Sequence, residues 1–318
     1  MTINKVSIMG LGAVGCTVAP YLIDCLPKED VRIIAGGSRK EKLEKNGIIV
    51  NDKHYDCYVV DPEEKVTPAD LLIVAVKYSA LPQAVKDIKN HVGPNTIILS
   101  LMNGVDSRDI IGEEYGIEKC IYGICNLSTI NYGDGSFKVS PKEAGILVGE
   151  AKNVKPYTER LQAVVDLFTK AGIDFKVPED MVHDMWWKFL INVGGNTTNT
   201  VLRGTQSYFQ VLDSANAARR MVMEEALQIA LALGATVSMK DVDELMEVYH
   251  CYPGENTCSM LQDFILHKKT ENEMLCGYVV KMGKKFGIPT PVNQYLYYLI
   301  DALDEVNAGA PVVRVDKM

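Results

Sequence analysis

The sequence predicts a two-domain α/β protein, with a helix-covered parallel sheet over residues 1–179 and an all-α half over 180–318, and three observations carry that expectation. A glycine-rich turn joins a short apolar run to a helical stretch near the start of the chain. Apolar strand-like runs then alternate with helix-like segments as far as about residue 178. Beyond Pro178 the apolar residues recur at helical spacing and strand signals fade.

The first run, Val6–Met9, suits a short strand buried on both faces. It leads into Gly10-Leu11-Gly12-Ala13-Val14-Gly15, which fits G-x-G-x-x-G directly after a strand and at the opening of a helix. In that context the first glycine permits the tight turn, the second lets a pyrophosphate approach the backbone, and the third lets helix and strand pack closely. The reading is a Rossmann-type dinucleotide-binding domain, with a purely structural glycine turn as the other possibility. Further strands are expected over 31–35, 71–76 and 96–101, with helices over 16–26 and 81–90 between them.

Cofactor choice turns on the end of the second strand, where an enzyme using NAD would place a carboxylate to bond the ribose 2′-hydroxyl. Here the stretch is Ala35-Gly36-Gly37-Ser38-Arg39-Lys40, with two cations and no carboxylate. A 2′-phosphate is attracted by such a segment, and Arg39 can grip it in bidentate fashion, so NADP(H) is favoured. The alternative is that Arg39 and Lys40 simply open the next helix in solvent.

In the second half, helices are expected over 181–200, 211–233, 239–249, 257–267, 271–286 and 294–307, with a loose tail over 312–318. Thr270 followed by Glu273 has the form of a capping box for the fifth of them. The first carries Lys188, Asn192 and Asn196 at intervals of four on an otherwise apolar stretch that includes Trp186, Trp187 and Phe189. At helical spacing these polar side chains form one stripe. Buried polar groups need partners, and a substrate bearing a carbonyl, a hydroxyl and a carboxylate supplies them. A lysine in a dry site can also protonate the alkoxide that forms when a ketone is reduced. The other reading leaves the stripe facing water while the aromatic residues face the core.

Composition narrows the function classes. A chain of 318 residues with 47% hydrophobic content can bury a large core, and its formal charge of −8 gives no general attraction to nucleic acid or anionic membrane. The eight cysteines contain no C-x-x-C pair, which argues against a zinc ribbon or thiol-redox motif and for reduced thiols; no metal site is expected. Neither a signal peptide nor a membrane-length apolar run is visible, so a soluble protein of the reducing cytoplasm is the expectation.

Beyond these patterns, the chain resembles the ketopantoate reductase (2-dehydropantoate 2-reductase) family over most of its length. The glycine motif is matched by Gly10 to Gly15, the lysine after a core strand by Lys77, and the asparagine-glycine turn by Asn103-Gly104. The W-x-K-x-x-x-N helix is matched by Trp186, Lys188 and Asn192, with Asn196 at the next turn. The late signatures stand as Ser259-Met260-Leu261-Gln262-Asp263, Thr270-Glu271 and Gly287-Ile288-Pro289-Thr290-Pro291-Val292-Asn293. The resemblance implies a helical domain like the C-terminal domain of 6-phosphogluconate dehydrogenase, NADPH-dependent reduction of ketopantoate to pantoate in pantothenate and coenzyme A biosynthesis, and a possible homodimer. It also implies catalytic roles for Lys188, as general acid, and Glu271. Substrate contacts fall on Asn103, Asn192, Asn196 and Ser259. Cofactor contacts fall on Gly10, Leu11, Gly12, Ala13, Val14, Gly15, Arg39, Lys77, Asn103 and Glu271.

The sequence departs from the family pattern around Arg203-Gly204-Thr205-Gln206-Ser207, around Gly36-Gly37, and at Thr270-Glu271-Asn272-Glu273. Other readings therefore stay open: another 2-oxo acid, an opine-type substrate, a phosphorylated substrate held by Arg203, Arg219 and Arg220, or a non-catalytic NADP(H) sensor.

Overall fold

The apolar runs expected to be buried strands all enter one sheet. In the computed structural model, which describes residues 1–126, 129–140 and 145–312, the strands are β1 (Val6–Met9), β2 (Val31–Ile34), β3 (Ile48–Val50), β4 (Lys53–Tyr55), β5 (Tyr58–Val60) and β6 (Leu71–Val74). They continue with β7 (Ile97–Ser100), β8 (Cys120–Cys125), β9 (Thr129–Asn131), β10 (Ser136–Val139), β11 (Ile146–Gly149) and β12 (Phe175–Lys176). Contacts divide the chain into two units, Met1–Val182 and His183–Met318.

In the first unit the main sheet runs β5-β2-β1-β6-β7-β8 in parallel, with β11 antiparallel on β8 and β12 parallel to β11. Strands β2, β6 and β7 are buried at every residue, as strands covered on both faces must be. Strand order reverses at the β1/β6 boundary, the switch point at which open α/β sheets bind ligands beyond the carboxyl ends of their strands.

The expected helix over 16–26 starts later than its pattern suggests. A 3₁₀ turn, Gly15–Thr17, precedes the α-helix Ala19–Cys25. Pro20 explains the delay, since it has no N–H with which to continue an α-helical ladder back to Cys16 and is tolerated only in a first turn.

A second sheet, ordered β4-β3-β10-β9, has no counterpart among the expected elements. Its β3–β4 hairpin turns on Asn51 and Asp52, whose φ values of 48° and 65° suit the mirror-image turn that matches strand twist. Asn51 Oδ1 then accepts from Val139 N at 2.9 Å and fastens the hairpin to β10.

After Lys176 the described residues form no further strand. The second unit is built around the helix Asp213–Ala232, which buries Ala215, Arg219, Val222, Met223, Ala226 and Ala230 on one side. The Gly287-to-Asn293 signature proves structural. Gly287, at φ 69°, ends the helix Tyr278–Phe286, and Pro291 opens the helix Pro291–Asn307. The Glu225 carboxylate accepts from Val292 N, Asn293 N and Asn293 Nδ2, each at 2.9 Å, which fastens that junction to the central helix.

Two expectations need correction. The box expected at Thr270 does not form: the Thr270 hydroxyl instead donates to Asp304 Oδ2 at 2.7 Å, tying it to the last helix. The capping box sits at Ser238 and Asp241, at the head of the helix Met239–Val248. The tail expected over 312–318 lies, from 313 onward, outside the described residues.

Asp241 also bonds His183 Nε2 at 2.8 Å, and His183 Nδ1 lies 3.1 Å from Asp184. Burial lowers the His183 pKa, but the two carboxylates outweigh it and the net shift is upward from 6.5. Burial likewise raises Asp241, and the Ser238 and His183 bonds outweigh it in the other direction. The histidine's contribution to stability is therefore complete below 6.5 and fades as pH rises through its higher folded value. Thermal melting of His183→Gln against the parent should show a wider gap at mildly acidic pH than at alkaline pH; an equal gap at both would remove the charged pair from the stability of this unit.

Candidate active site

Because β1, β6 and β7 are parallel neighbours, the segments that follow them emerge along one sheet edge, and those segments hold Gly10 to Gly15, Lys77 and Asn103. The three motif glycines have three separate jobs. At Gly10, with φ of 98°, a side chain would stand 2.5 Å from Ala75 O and 2.8 Å from Val76 Cγ1. At Gly15 it would meet Gly10 O at 2.1 Å, so helix and strand can pack only without one. At Gly12 it would meet nothing within 4 Å. The turn is therefore open at Gly12 and closed at Gly10 and Gly15.

Arg39, one residue of the helix Gly37–Asn46, donates from Nη2 to Leu11 O at 2.7 Å, which holds its guanidinium against the glycine turn. The space beside it is a cavity of 240 Å³ lined in part by Gly10, Leu11, Ala35, Gly36, Arg39 and Asp87. Lys40, the other cation in that stretch, lies 3.9 Å from Glu44 on its own helix, which leaves Arg39 as the cation at the cavity. The Asp87 carboxylate accepts from Gln83 Nε2 at 2.8 Å. A larger cavity of 470 Å³ lies at the opposite sheet edge, near Asp70, Thr96 and Lys119. Its charges are satisfied locally, the amino terminus by Glu159 and Arg160 by Glu150, and it is remote from the glycine turn. Exposed Lys77 begins the short turn after β6, and half-buried Asn103 precedes Gly104, at φ 89°. Tyr78 Oη donates to Asp106 Oδ2 at 2.7 Å and links these two loops.

In the second unit the expected helix over 181–200 proves to be three segments. An α-helix, Met181–Ile191, passes into a π-helical turn, Asn192–Asn196, and then into the α-helix Thr197–Leu202. Along an α-helix Lys188, Asn192 and Asn196 would each step about 40° further round, sweeping about 80° in all. The wider π turn, with roughly 4.4 residues per revolution, brings Asn196 back toward the line of Lys188. The stripe is straightened by the bulge. Two hydroxyls bond back to carbonyls of the turn: Thr197 Oγ1 donates to Val193 O, and Thr200 Oγ1 to Asn196 O at 2.8 Å.

Trp186 and Phe189 fix the other side of this helix. Their rings meet edge-on at 5.3 Å and pack on Tyr278 at 6.3 and 5.8 Å. Both are buried, whereas Lys188, Asn192 and Asn196 are each half-buried. The polar stripe therefore sits at the margin of the unit, neither sealed in its core nor fully in solvent.

A second π turn, Glu273–Gly277, follows half-buried Glu271 and packs against the first. Ser259 is exposed at the start of the helix Ser259–Ile265. Its neighbour Cys258 ties that helix end to the first π turn, with Sγ 3.7 Å from Asn196 O and 3.5 Å from Asn199 Oδ1. Lys188, Asn192, Asn196, Glu271 and Ser259 thus belong to segments joined through the two π turns. The adjacent glycines Gly194 and Gly195, in the middle of an apolar helix, were the available sequence signal for the bulge.

The arginines considered for a phosphorylated substrate are committed elsewhere. Arg219 is completely buried, Arg220 pairs with Glu224 and Asp243, and Arg203 lies over the Phe264 ring at 5.4 Å. They form no cationic pocket, and that reading loses its support.

Comparison with known families covers both units. The model described as "Ketopantoate reductase PanE/ApbA" matches residues 6–153, and that described as "Ketopantoate reductase PanE/ApbA C terminal" matches residues 180–304. The chain belongs to the ketopantoate reductase family. A curated relative from Pyrococcus abyssi, a 2-dehydropantoate 2-reductase, is 28% identical over 301 residues, covering 93% of this chain and 96% of its own. Among solved structures, a dimeric ketopantoate reductase from Staphylococcus aureus superposes with a TM-score of 0.79 at 21% identity, covering 95% of this chain and 99% of its own. A D-mandelate dehydrogenase in a ternary complex with NADH and anilino(oxo)acetate gives 0.82 at 22% identity, covering 96% and 99%. Both likenesses support the fold: a Rossmann-type sheet domain followed by a helical domain. As a family member the chain is an oxidoreductase, and no helix among its described residues is long and apolar enough to cross a membrane.

Proposed function

We propose that this chain reduces a 2-oxo acid with NADPH, that the substrate is 2-dehydropantoate and the product pantoate, and that Lys188 is the general acid. The observation that carries this reading is the half-buried line of Lys188, Asn192 and Asn196, straightened by the π turn. A bound nicotinamide dinucleotide supplies the hydride that reaches C2. The Lys188 ammonium polarises the C2 carbonyl and gives its proton to the oxygen as negative charge develops there. Asn192, Asn196 and Ser259 orient the carboxylate and hydroxyl groups of the substrate through hydrogen bonds. Glu271, which precedes the second π turn, is assigned the second catalytic role, near the lysine and the cofactor's ribose.

In the first unit the open face of Gly12 and the cavity beside Arg39 fit the diphosphate and adenosine parts of a dinucleotide. Leu11, Ala13, Val14 and Gly15 complete the turn, and we assign Lys77 and Asn103 to the nicotinamide end. The absence of a carboxylate in Ala35-Gly36-Gly37-Ser38, with Arg39 held over the turn, favours the 2′-phosphate of NADPH over the free hydroxyl of NADH. Arg39→Ala should raise the KM for NADPH roughly ten- to hundred-fold, the loss of one charge-assisted contact, and leave that for NADH within about two-fold. Equal effects on both cofactors would mean that Arg39 does not read the phosphate.

We also propose a homodimer and a reducing compartment, the cytoplasm. Burial pushes the Cys16 and Cys276 thiols up to about 12 and those of Cys57 and Cys120 to about 11, which suits unreactive core thiols. The test of the whole reading is NADPH consumption with 2-dehydropantoate beside a panel of other 2-oxo acids, repeated with NADH. A clear preference for 2-dehydropantoate with NADPH is expected. Preference for another 2-oxo acid would move the substrate assignment, and cofactor binding without turnover of any of them would make the chain a sensor.

A further inference from the structure

Arg219 is a cation with no exposed surface, in the middle of the central helix Asp213–Ala232. Its guanidinium lies 4.4 Å from the centre of the Tyr249 ring and 5.0 Å from that of Phe209, and the two rings meet each other at 4.9 Å with their planes tilted by 56°. Nε donates to Asn216 Oδ1 at 2.9 Å, Nη2 donates to Met246 O, and Nη1 has no partner. A buried charge with one donor unmet is costly, and apolar residues of similar volume often replace such groups without loss of stability.

What Arg219 and its ring partner touch gives the expense a purpose. The first π turn rests on this assembly. A side chain at Gly195 would overlap Tyr249 Oη at 1.6 Å, and one at Gly194 would meet Met223 Cγ at 2.4 Å and Arg219 O at 3.0 Å. Ile191, just before the turn, packs against Phe209 and Tyr249. The two glycines let the turn settle directly onto the Tyr249 ring and the stretch of the central helix that carries Arg219. A lysine could not reproduce the contact with both rings, because its ammonium lacks the broad planar face and the several donors of a guanidinium.

We infer that Arg219 and Tyr249 are positioning residues, which hold the turn Asn192–Asn196 in its π form and so keep Asn196 in line with Lys188. The inference rests on the function proposed above for that line, and its test separates the two. In the full-length protein, Arg219→Met should accelerate amide hydrogen exchange over residues 192–197 by about ten-fold while exchange in the helix Pro291–Asn307 stays within about two-fold. The KM for the 2-oxo acid should rise about ten-fold with NADPH affinity unchanged, and Arg219→Lys should restore only part of the loss. If the parent reduces no 2-oxo acid, the proposed function fails and the exchange measurement alone decides. If Arg219→Met does not fold, Tyr249→Phe, which removes only the oxygen against Gly195, is read in the same way with an expected change of about three-fold. Exchange over residues 192–197 that matches the parent in a folded variant overturns the inference.

Discussion

Lys188→Ala is expected to lower kcat by about a thousand-fold while NADPH affinity stays within a few-fold, because a positioned general acid contributes about 10²–10⁴ and the lysine belongs to the helical unit. The aromatic cluster of Trp186, Phe189 and Tyr278 anchors the helix independently of Lys188, so the variant should fold. Steady-state kinetics beside a fluorescence titration with NADPH give both quantities. Turnover near that of the parent would remove Lys188 from the mechanism, and a matching collapse of cofactor affinity would make its role structural.

Gly12→Val is expected to cut NADPH affinity by about a hundred-fold or more with little change in melting temperature. A Cβ at Gly12 would meet nothing within 4 Å, so the branched side chain starts in open space, the space that the proposed function gives to the diphosphate. Losing even two charge-assisted contacts to backbone N–H groups amounts to roughly 3 kcal/mol or more. Gly10→Val serves as the contrast. Its side chain would collide with Ala75 O, so that variant should lose stability as well as binding. Unchanged NADPH affinity in a folded Gly12→Val would show that the dinucleotide lies elsewhere.

The first unit was readable because its signals are local and strong. Val6–Met9, Val31–Ile34, Leu71–Val74 and Ile97–Ser100 are mainly apolar runs, interrupted by Ser7, Arg32 and Ser100, as strands covered on both faces require. The second sheet was not readable, since β3 and β4 are only three residues long, β4 is Lys53-His54-Tyr55, and β3 pairs with β10 from a distant part of the chain. The stripe of Lys188, Asn192 and Asn196 was visible as spacing, but the π turn was not. One extra residue in a turn barely disturbs apolar periodicity, and only Gly194-Gly195 betrays it. Thr270 and Ser238 show the same limit from another side. Both are hydroxyl residues followed three positions later by an acid, and which of them caps a helix depends on Asp304, a partner far along the chain that claims the Thr270 hydroxyl.

Hydride transfer to C2 can be followed directly with NADPH carrying deuterium at C4, on one face or the other, and 2-dehydropantoate as acceptor. The account predicts that one of the two labelled cofactors gives pantoate bearing a single deuterium at C2. Consumption of 2-dehydropantoate with no label reaching that carbon, or no product with either cofactor, would contradict it.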